Sequence, residues 1–383
     1  MSSRRDKMKF RFDLPTSWVH GIGLSSEIDS FLKDLGVKCP IIITDKRLVN
    51  VGVLEPIYNS LKKADINYTI IDEVTNEPTV KFFDLLSKKL KEMDFDSFIA
   101  VGGGSVIDVA KGLRIIAEFG GSIRDYAGFN NISGKIEYPL IAIPTTSGTG
   151  SEVSVGAVFI DEENKTKFAV IDVNNCPTLA LTDPELTATM PPSITAITGI
   201  DALVHAVESY VSRQASPVTE PIALQAINLI GNSIEKAVSN GNDIKTRECM
   251  QLGSTLAMIS ASNAQLGLCH ALGMPLCAIY GIPHGQAVGM VLPYVLELNK
   301  STVPDKIKNI FCQLNYTDKE DNFIKIEELI NKIGIFSPLS KYGFNENQIP
   351  DIVKGTLNSF QTPNNPSEVT EQDVINIINK IKE

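Results

Sequence analysis

Histidine is scarce in this chain, with four in 383 residues, and tryptophan is scarcer, with one. None of the six cysteines (Cys39, Cys176, Cys249, Cys269, Cys277, Cys312) forms a C-x-x-C pair, which excludes zinc knuckles and thioredoxin-type chemistry. Scattered thiols in a chain of this length fit a reduced, cytoplasmic protein. Positive charge is also short: 35 Lys and Arg against 45 Asp and Glu leave a net charge of −10. A nucleic-acid partner would need a basic face, so that class is excluded. No apolar run reaches the ~20 residues of a membrane span. The basic start, Met1–Phe12, lacks the apolar stretch of a secretory signal. What is present is 43% hydrophobic and 21% charged, the composition of a globular protein long enough for two domains.

The first part of the chain alternates short apolar runs with helical patterns. Cys39–Thr44, Tyr68–Ile71, Phe98–Val101 and Leu140–Pro144 read as buried parallel strands, with helices such as Val51–Lys63 and Val80–Met93 between them. Val155–Ile160 and Lys167–Ile171 flank the polar segment Asp161–Thr166 and predict a β-hairpin. Leu179–Thr182 reads as a last strand, after which strand signals stop. Ser193–Arg213, Glu220–Ser239, Thr246–Ser262, Gly285–Leu298, Ile324–Ile333 and Glu371–Lys382 suit helices, and Gln361–Pro366 a polar loop. The expectation is an α/β domain with a parallel sheet over residues 1–184. An all-helical domain over residues 185–383 follows it.

Because histidine is so rare, its placement is informative. Asp201 and His205 lie four apart in a helical stretch, so both side chains leave one face. His270 sits in an almost uncharged segment, where an unpaired imidazole is costly. His284 stands in the Pro283-His284-Gly285 turn that opens a helix. One carboxylate with three imidazoles suits Fe(II), Zn(II), Co(II) or Mn(II), so the pattern predicts a single divalent metal on the helical half. His20, in Trp18-Val19-His20-Gly21, reads as a loop histidine beside the N-terminal strand.

The strand Phe98–Val101 runs into Gly102-Gly103-Gly104-Ser105 and then a helix. Glycines let the backbone approach a pyrophosphate, and the helix N-terminus adds positive potential. The motif is not G-x-G-x-x-G, and it equally fits a plain tight turn. Ser105 and Asp108 have capping-box spacing, which would order the loop with or without phosphates. A second small-residue loop, Pro144-Thr145-Thr146-Ser147-Gly148-Thr149-Gly150-Ser151-Glu152, fits either cofactor contacts or a Ser/Thr-rich turn. Two such loops at successive strand ends share one edge of a parallel sheet, where cofactors bind.

Four ordered segments then carry a resemblance: Gly102-Gly103-Gly104-Ser105-x-x-Asp108, Pro144-Thr145-Thr146-x-Gly148-Thr149-Gly150-Ser151-Glu152, Gly199-Ile200-Asp201-Ala202-Leu203-x-His205-Ala206-x-Glu208 and Pro283-His284-Gly285. Together they resemble the iron-containing (group III) alcohol dehydrogenases, from about Pro15 to Asn299. The resemblance implies a dehydroquinate synthase-like architecture, with a nucleotide-binding α/β domain, a helical metal domain and an active site in the cleft between them, reversible oxidation of an alcohol with NAD(P), and a homo-oligomer of two or more subunits. It implies Asp201, His205, His270 and His284 as metal ligands, with Fe(II) ahead of Zn(II). Gly103, Gly104 and Ser105, with Asp108 in the same motif, would hold the pyrophosphate, and Thr145, Thr146 and Thr149 the rest of the cofactor. Lys167 matches a lysine that the family places near the cofactor. Asp45 falls where the family meets the adenosine ribose. A carboxylate there accepts from a 2′-hydroxyl and repels a 2′-phosphate, so NAD is expected over NADP.

One position departs from the family. Where many members carry a further histidine for proton handling, this chain has Met274, which relays no proton. Pro275 disfavours an α conformation at Met274, so the helix is expected to kink or stop there. The substrate is expected to be a short-chain alcohol or aldehyde, with acid- or phosphonate-bearing aldehydes within the range that Met274 leaves open. The competing readings are an NAD- and metal-dependent lyase of the dehydroquinate synthase type and a non-catalytic NAD-binding protein.

Overall fold

The computed structural model describes residues 9–74, 78–164, 166–316 and 321–383; the first eight residues of the basic start lie outside them. Strands β1 (Ser17–His20), β2 (Pro40–Ile43), β3 (Thr69–Ile71), β4 (Ser97–Gly102), β5 (Gly128–Phe129), β6 (Leu140–Pro144), β7 (Gly156–Asp161), β8 (Thr166–Ile171) and β9 (Leu179–Thr182) lie within the first 182 residues. Six of them form one parallel sheet in the order β1-β9-β6-β4-β2-β3. The apolar runs explain why. Alternate residues point to opposite faces, so Ile41, Ile43, Phe98 and Ala100 enter one core while Ile42, Ile99 and Val101 enter another. Both faces are covered by helices, as a parallel sheet requires.

The predicted hairpin is present as β7 and β8, paired from Gly156↔Ile171 to Asp161↔Thr166. It belongs to a second, three-stranded sheet completed by β5, which the sequence pattern did not indicate. The chain leaves β2 first for β3 and then crosses back to β4. This reversal opens a crevice at the C-terminal strand ends, the usual place for a ligand in an open α/β sheet.

After β9 the chain is helical. Gly104–Phe119 in the first half is α1; the helices of the second half that bear on the site are α2 (Pro192–Val211), α3 (Thr219–Gly231), α4 (Ile244–Ala264), α5 (Leu268–Tyr280), α6 (His284–Asn299) and α7 (Ile349–Leu357), with further helices between and after them. Three expectations need correction. The stretch Glu220–Ser239 is two helices rather than one, broken after Gly231. A Cβ on Gly231 would stand 2.1 Å from Leu314, and Asn232 spends its side-chain amide on the carbonyls of Asn228 and Gln313. α5 neither stops nor breaks at Pro275 but runs on to Tyr280. Proline removes one amide donor, yet Leu272 and Leu276 are fully buried and Gly355 of α7 makes room for the Pro275 ring. His20 ends β1 instead of lying in a loop, with Nδ1 2.9 Å from Thr182 Oγ1. The helices Pro304–Gln313 and Ile349–Leu357 went unpredicted.

Candidate metal centre and cofactor cleft

A single face of α2 carries Asp201, His205 and Glu208, at positions i, i+4 and i+7. All three are buried in a helix whose other buried residues are mostly apolar. The first turn of α5 supplies His270, and the first residue of α6 supplies His284. Asp201 Oδ1 is the common focus. It lies 3.9 Å from His205 Nε2, 3.7 Å from His270 Nε2 and 3.7 Å from His284 Nε2. The His205 and His270 rings stack with centroids 4.7 Å apart. Donor atoms of Asp201, His270 and His284 all fall within 4.8 Å of one another. Nitrogen and oxygen ligands sit ~2.0–2.2 Å from a divalent ion, so donors sharing one ion stand about this far apart.

The donor set fits a metal on a second count. Asp201 Oδ1 and His270 Nε2 are buried with no hydrogen-bond partner. Such orphaned atoms are costly unless something else satisfies them. The cluster also favours an ionised carboxylate at its focus. Burial opposes charge on Asp201, but the neighbouring His205, His270 and His284 hold its carboxyl well below the usual range. Burial likewise opposes charge on His270, yet the neighbouring carboxylates of Asp201 and Glu208 raise it to about 9. Burial prevails at His205, which falls to about 4. His284 keeps 42% of its side-chain surface open towards the cleft.

Glu208 lies in the same motif as Asp201 and His205, and the structure gives it a role of its own. Its Oε2 stands 2.6 Å from His270 Nδ1, and its Oε1 accepts from the Cys269 N–H. It therefore fixes the imidazole so that Nε2 faces Asp201. The signal was available: a carboxylate seven residues after Asp201 shares its face, and a buried charge needs a partner.

Gly285 sets how closely α6 approaches α2. A Cβ there would lie 2.1 Å from Ile197 O and 3.1 Å from Asp201 Cβ. Only glycine lets the start of α6 deliver His284 to Asp201.

The two small-residue loops meet at the crevice. A Cβ on Gly103 would lie 3.4 Å from Thr146, and one on Gly104 would lie 2.7 Å from Thr149 Oγ1. Thr145 is buried and tied through its amide to Gly102 O at 3.0 Å. Thus Gly103, Gly104, Thr145, Thr146 and Thr149 are neighbours, and Ser105 follows in the first turn of α1. The capping box does not form. Gly103 is the N-cap of α1, without a side-chain cap, and Asp108 turns inward. Its carboxylate accepts from Ser151 Oγ at 2.6 Å and Val158 N at 2.9 Å. Fully buried Lys111 donates to Ser154 O and Gly156 O, both at 2.8 Å, and braces the same loop. Asp45 sits just beyond β2 and caps the next helix through Oδ1, which accepts from Arg47 N and Leu48 N. Lys167 projects from β8, and its charge is felt at His284: burial, then His270 and Lys167, push that imidazole down against Asp201.

The second loop also joins the two halves of the molecule. Glu152 Oε1 accepts from Thr255 Oγ1 at 2.8 Å, and Gln251 Nε2 donates to Pro144 O at 3.2 Å. Gly148 of that loop lies against Thr198 of α2, so the second loop packs beside the helix that carries Asp201 and His205.

Comparison with known proteins bears directly on this arrangement. Residues 15–184 match the iron-containing alcohol dehydrogenase family model, and residues 195–382 match the C-terminal model of the Fe-containing alcohol dehydrogenase family. The chain is 33% identical over 375 residues to an NAD-dependent methanol dehydrogenase of Bacillus methanolicus, covering 96% of this chain and 98% of that one. A solved 1,3-propanediol oxidoreductase superposes with a TM-score of 0.92 at 31% identity, over 98% of this chain and all of the other (100%). The sulfoacetaldehyde reductase of Bifidobacterium kashiwanohense, solved with NAD+, gives 0.90 at 28% identity, over 98% and 99%. With sheet, helices and donor set in agreement, the chain belongs to the iron-containing alcohol dehydrogenase family and is an NAD-linked, metal-dependent oxidoreductase.

Proposed function

We propose that the protein interconverts a short-chain alcohol and its aldehyde in the cleft between a nucleotide-binding part, residues 1–184, and a helical part, residues 185–383. The observation that carries this reading is the convergence of Asp201 Oδ1, His270 Nε2 and His284 Nε2 beside two touching glycine loops. Asp201, His205, His270 and His284 would hold the metal. A bound divalent metal supplies Lewis acidity to the substrate oxygen, and the nicotinamide carries the hydride. The protein's own part is positioning. Gly103, Gly104 and Ser105 admit the pyrophosphate, Thr145, Thr146 and Thr149 line the cofactor, and Asp108 holds the second loop in register. Lys167 stands over the reacting end.

Lys167 beside His284 also favours a second substrate reading, an aldehyde that carries an acid group. The free, scattered cysteines support a cytoplasmic setting, and the family resemblance supports a homo-oligomer. Among the described residues no helix is long and apolar enough to cross a membrane.

The test is anaerobic. The protein is stripped of metal, reloaded with Fe(II) or Zn(II), and given NADH with neutral and anionic short-chain aldehydes. Metal-dependent NADH oxidation is expected, and the preferred aldehyde decides between the two substrate readings. Bound NAD without NADH turnover on any metal would favour the lyase or non-catalytic reading.

Cofactor choice gives a separate prediction. Asp45→Ser keeps an N-cap side chain but removes the carboxylate that would face a 2′-phosphate. The ratio of kcat/KM for NADP to that for NAD should rise about tenfold or more, since like-charge juxtaposition is the barrier. An unchanged ratio places the ribose elsewhere.

A further inference from the structure

Phe129 and Phe360 meet edge to face, with ring centroids 5.7 Å apart at 85°. Both rings are nevertheless exposed, at 57% and 58%. Phe129 belongs to β5 in the hairpin sheet, and Phe360 follows α7 in the helical half. The contact therefore spans the two halves of the molecule.

Each ring stands beside an element of the site described above. Phe129 pairs with Ile171 across β5 and β8, and paired residues share a face of the sheet. Strand alternation puts Ala169 and Lys167 on that face too. On the other side, the segment after Phe360 covers the start of α5. Asn364 Nδ2 donates to Leu266 O at 3.1 Å, and Asn365 lies against Gly267, just ahead of His270. Two more open apolar side chains stand on neighbouring elements. Val158, 47% exposed, is level with Ala169 in the ladder, and Met274, 45% exposed, lies one helical turn beyond His270. Scattered single hydrophobics on a surface need no explanation, whereas two open rings in contact across the two halves do.

We propose that Phe129 and Phe360 form an aromatic latch across the mouth of the catalytic cleft, one that parts for the nicotinamide cofactor to leave and whose rings select against bulky alcohols. The proposal rests on the dehydrogenase reading above. A pair of this geometry shifts an opening equilibrium by roughly two- to tenfold. That is enough to govern the rate of opening without sealing the cleft, and opening or product release limits turnover in many enzymes.

The test follows NADH leaving the full-length, iron-loaded protein by stopped-flow fluorescence. Phe129→Ala and Phe360→Ala should each speed release about two- to tenfold. The double variant should add nothing to either, because losing one ring already ends the contact. In the same variants kcat/KM for benzyl alcohol should rise relative to that for propan-1-ol. Unchanged release in both single variants overturns the latch, as do effects that multiply in the double variant. Release needs no turnover, so a wild type that binds NADH but is inert towards alcohols defeats the dehydrogenase reading while the release rates still decide the latch. A wild type that binds no NADH defeats both.

Discussion

Gly285→Ala is expected to empty the metal centre and to lower activity at least about a hundredfold. The added Cβ would lie 2.1 Å from Ile197 O and 3.0 Å from Ile197 C. Those atoms are backbone, inside α2, so no rotamer change relieves the clash. Either α6 moves away or α2 bends. Both responses separate His284 from Asp201, because the first residue of α6 and the second turn of the same α2 face are the parts displaced. Overpacking of this kind costs about 1–3 kcal/mol in stability. Misplacement of catalytic groups by ~1 Å costs about a hundredfold in rate. Iron content after reloading, together with the melting temperature of the stripped protein, checks both parts. Gly156→Ala is the control, since a Cβ there meets nothing within 4 Å. A Gly285→Ala protein that binds metal as the wild type does would show that helix approach does not set the centre.

The cluster of candidate donors was legible because it obeys short-range rules. Asp201 and His205 share a face by helix periodicity alone. His270 and His284 stood out because the chain has so few histidines and placed these in apolar or turn contexts. The sheet was legible for a similar reason, as strands such as Ile41–Ile43 and Phe98–Val101 bury both faces and so read as unbroken apolar runs. What escaped depended on contacts distant in sequence. Asp108 has capping spacing, yet its carboxylate is claimed by Ser151 and Val158, 43 and 50 residues away. Pro275 signals a helix end locally, yet packing on either side carries α5 through it. Gly231 looks like a tolerable interior glycine until Leu314 is brought against it. β5 spans two residues, too few for any period to register. In each case a neighbour supplied by the fold overrode the local preference of the chain.

Glu208 is where the same long-range logic reaches the chemistry, and its substitution should show graded loss of metal. Glu208→Ala leaves His270 Nδ1 and the Cys269 N–H buried without a partner, at about 1–3 kcal/mol for each group. The ring is then free to turn, and the negative charge that strengthens its Nε2 as a donor is gone. Loss of such a partner costs ~10–100-fold in metal affinity. Glu208→Gln keeps the shape and an acceptor oxygen but removes the charge, so it should fall between alanine and wild type. The order of affinities, read from Fe(II) or Zn(II) competition against a chelator, separates the two contributions. Equal losses in both variants would mean that charge on the partner matters more than its geometry. A glutamine variant equal to wild type would mean that orientation alone is needed. Should neither variant lose metal while both melt earlier, Glu208 serves the packing of α5 on α2 and not the ligand it touches. The melting temperature of stripped protein is therefore measured beside each titration, since a fall in affinity without a matching fall in stability is the result that ties Glu208 to the metal.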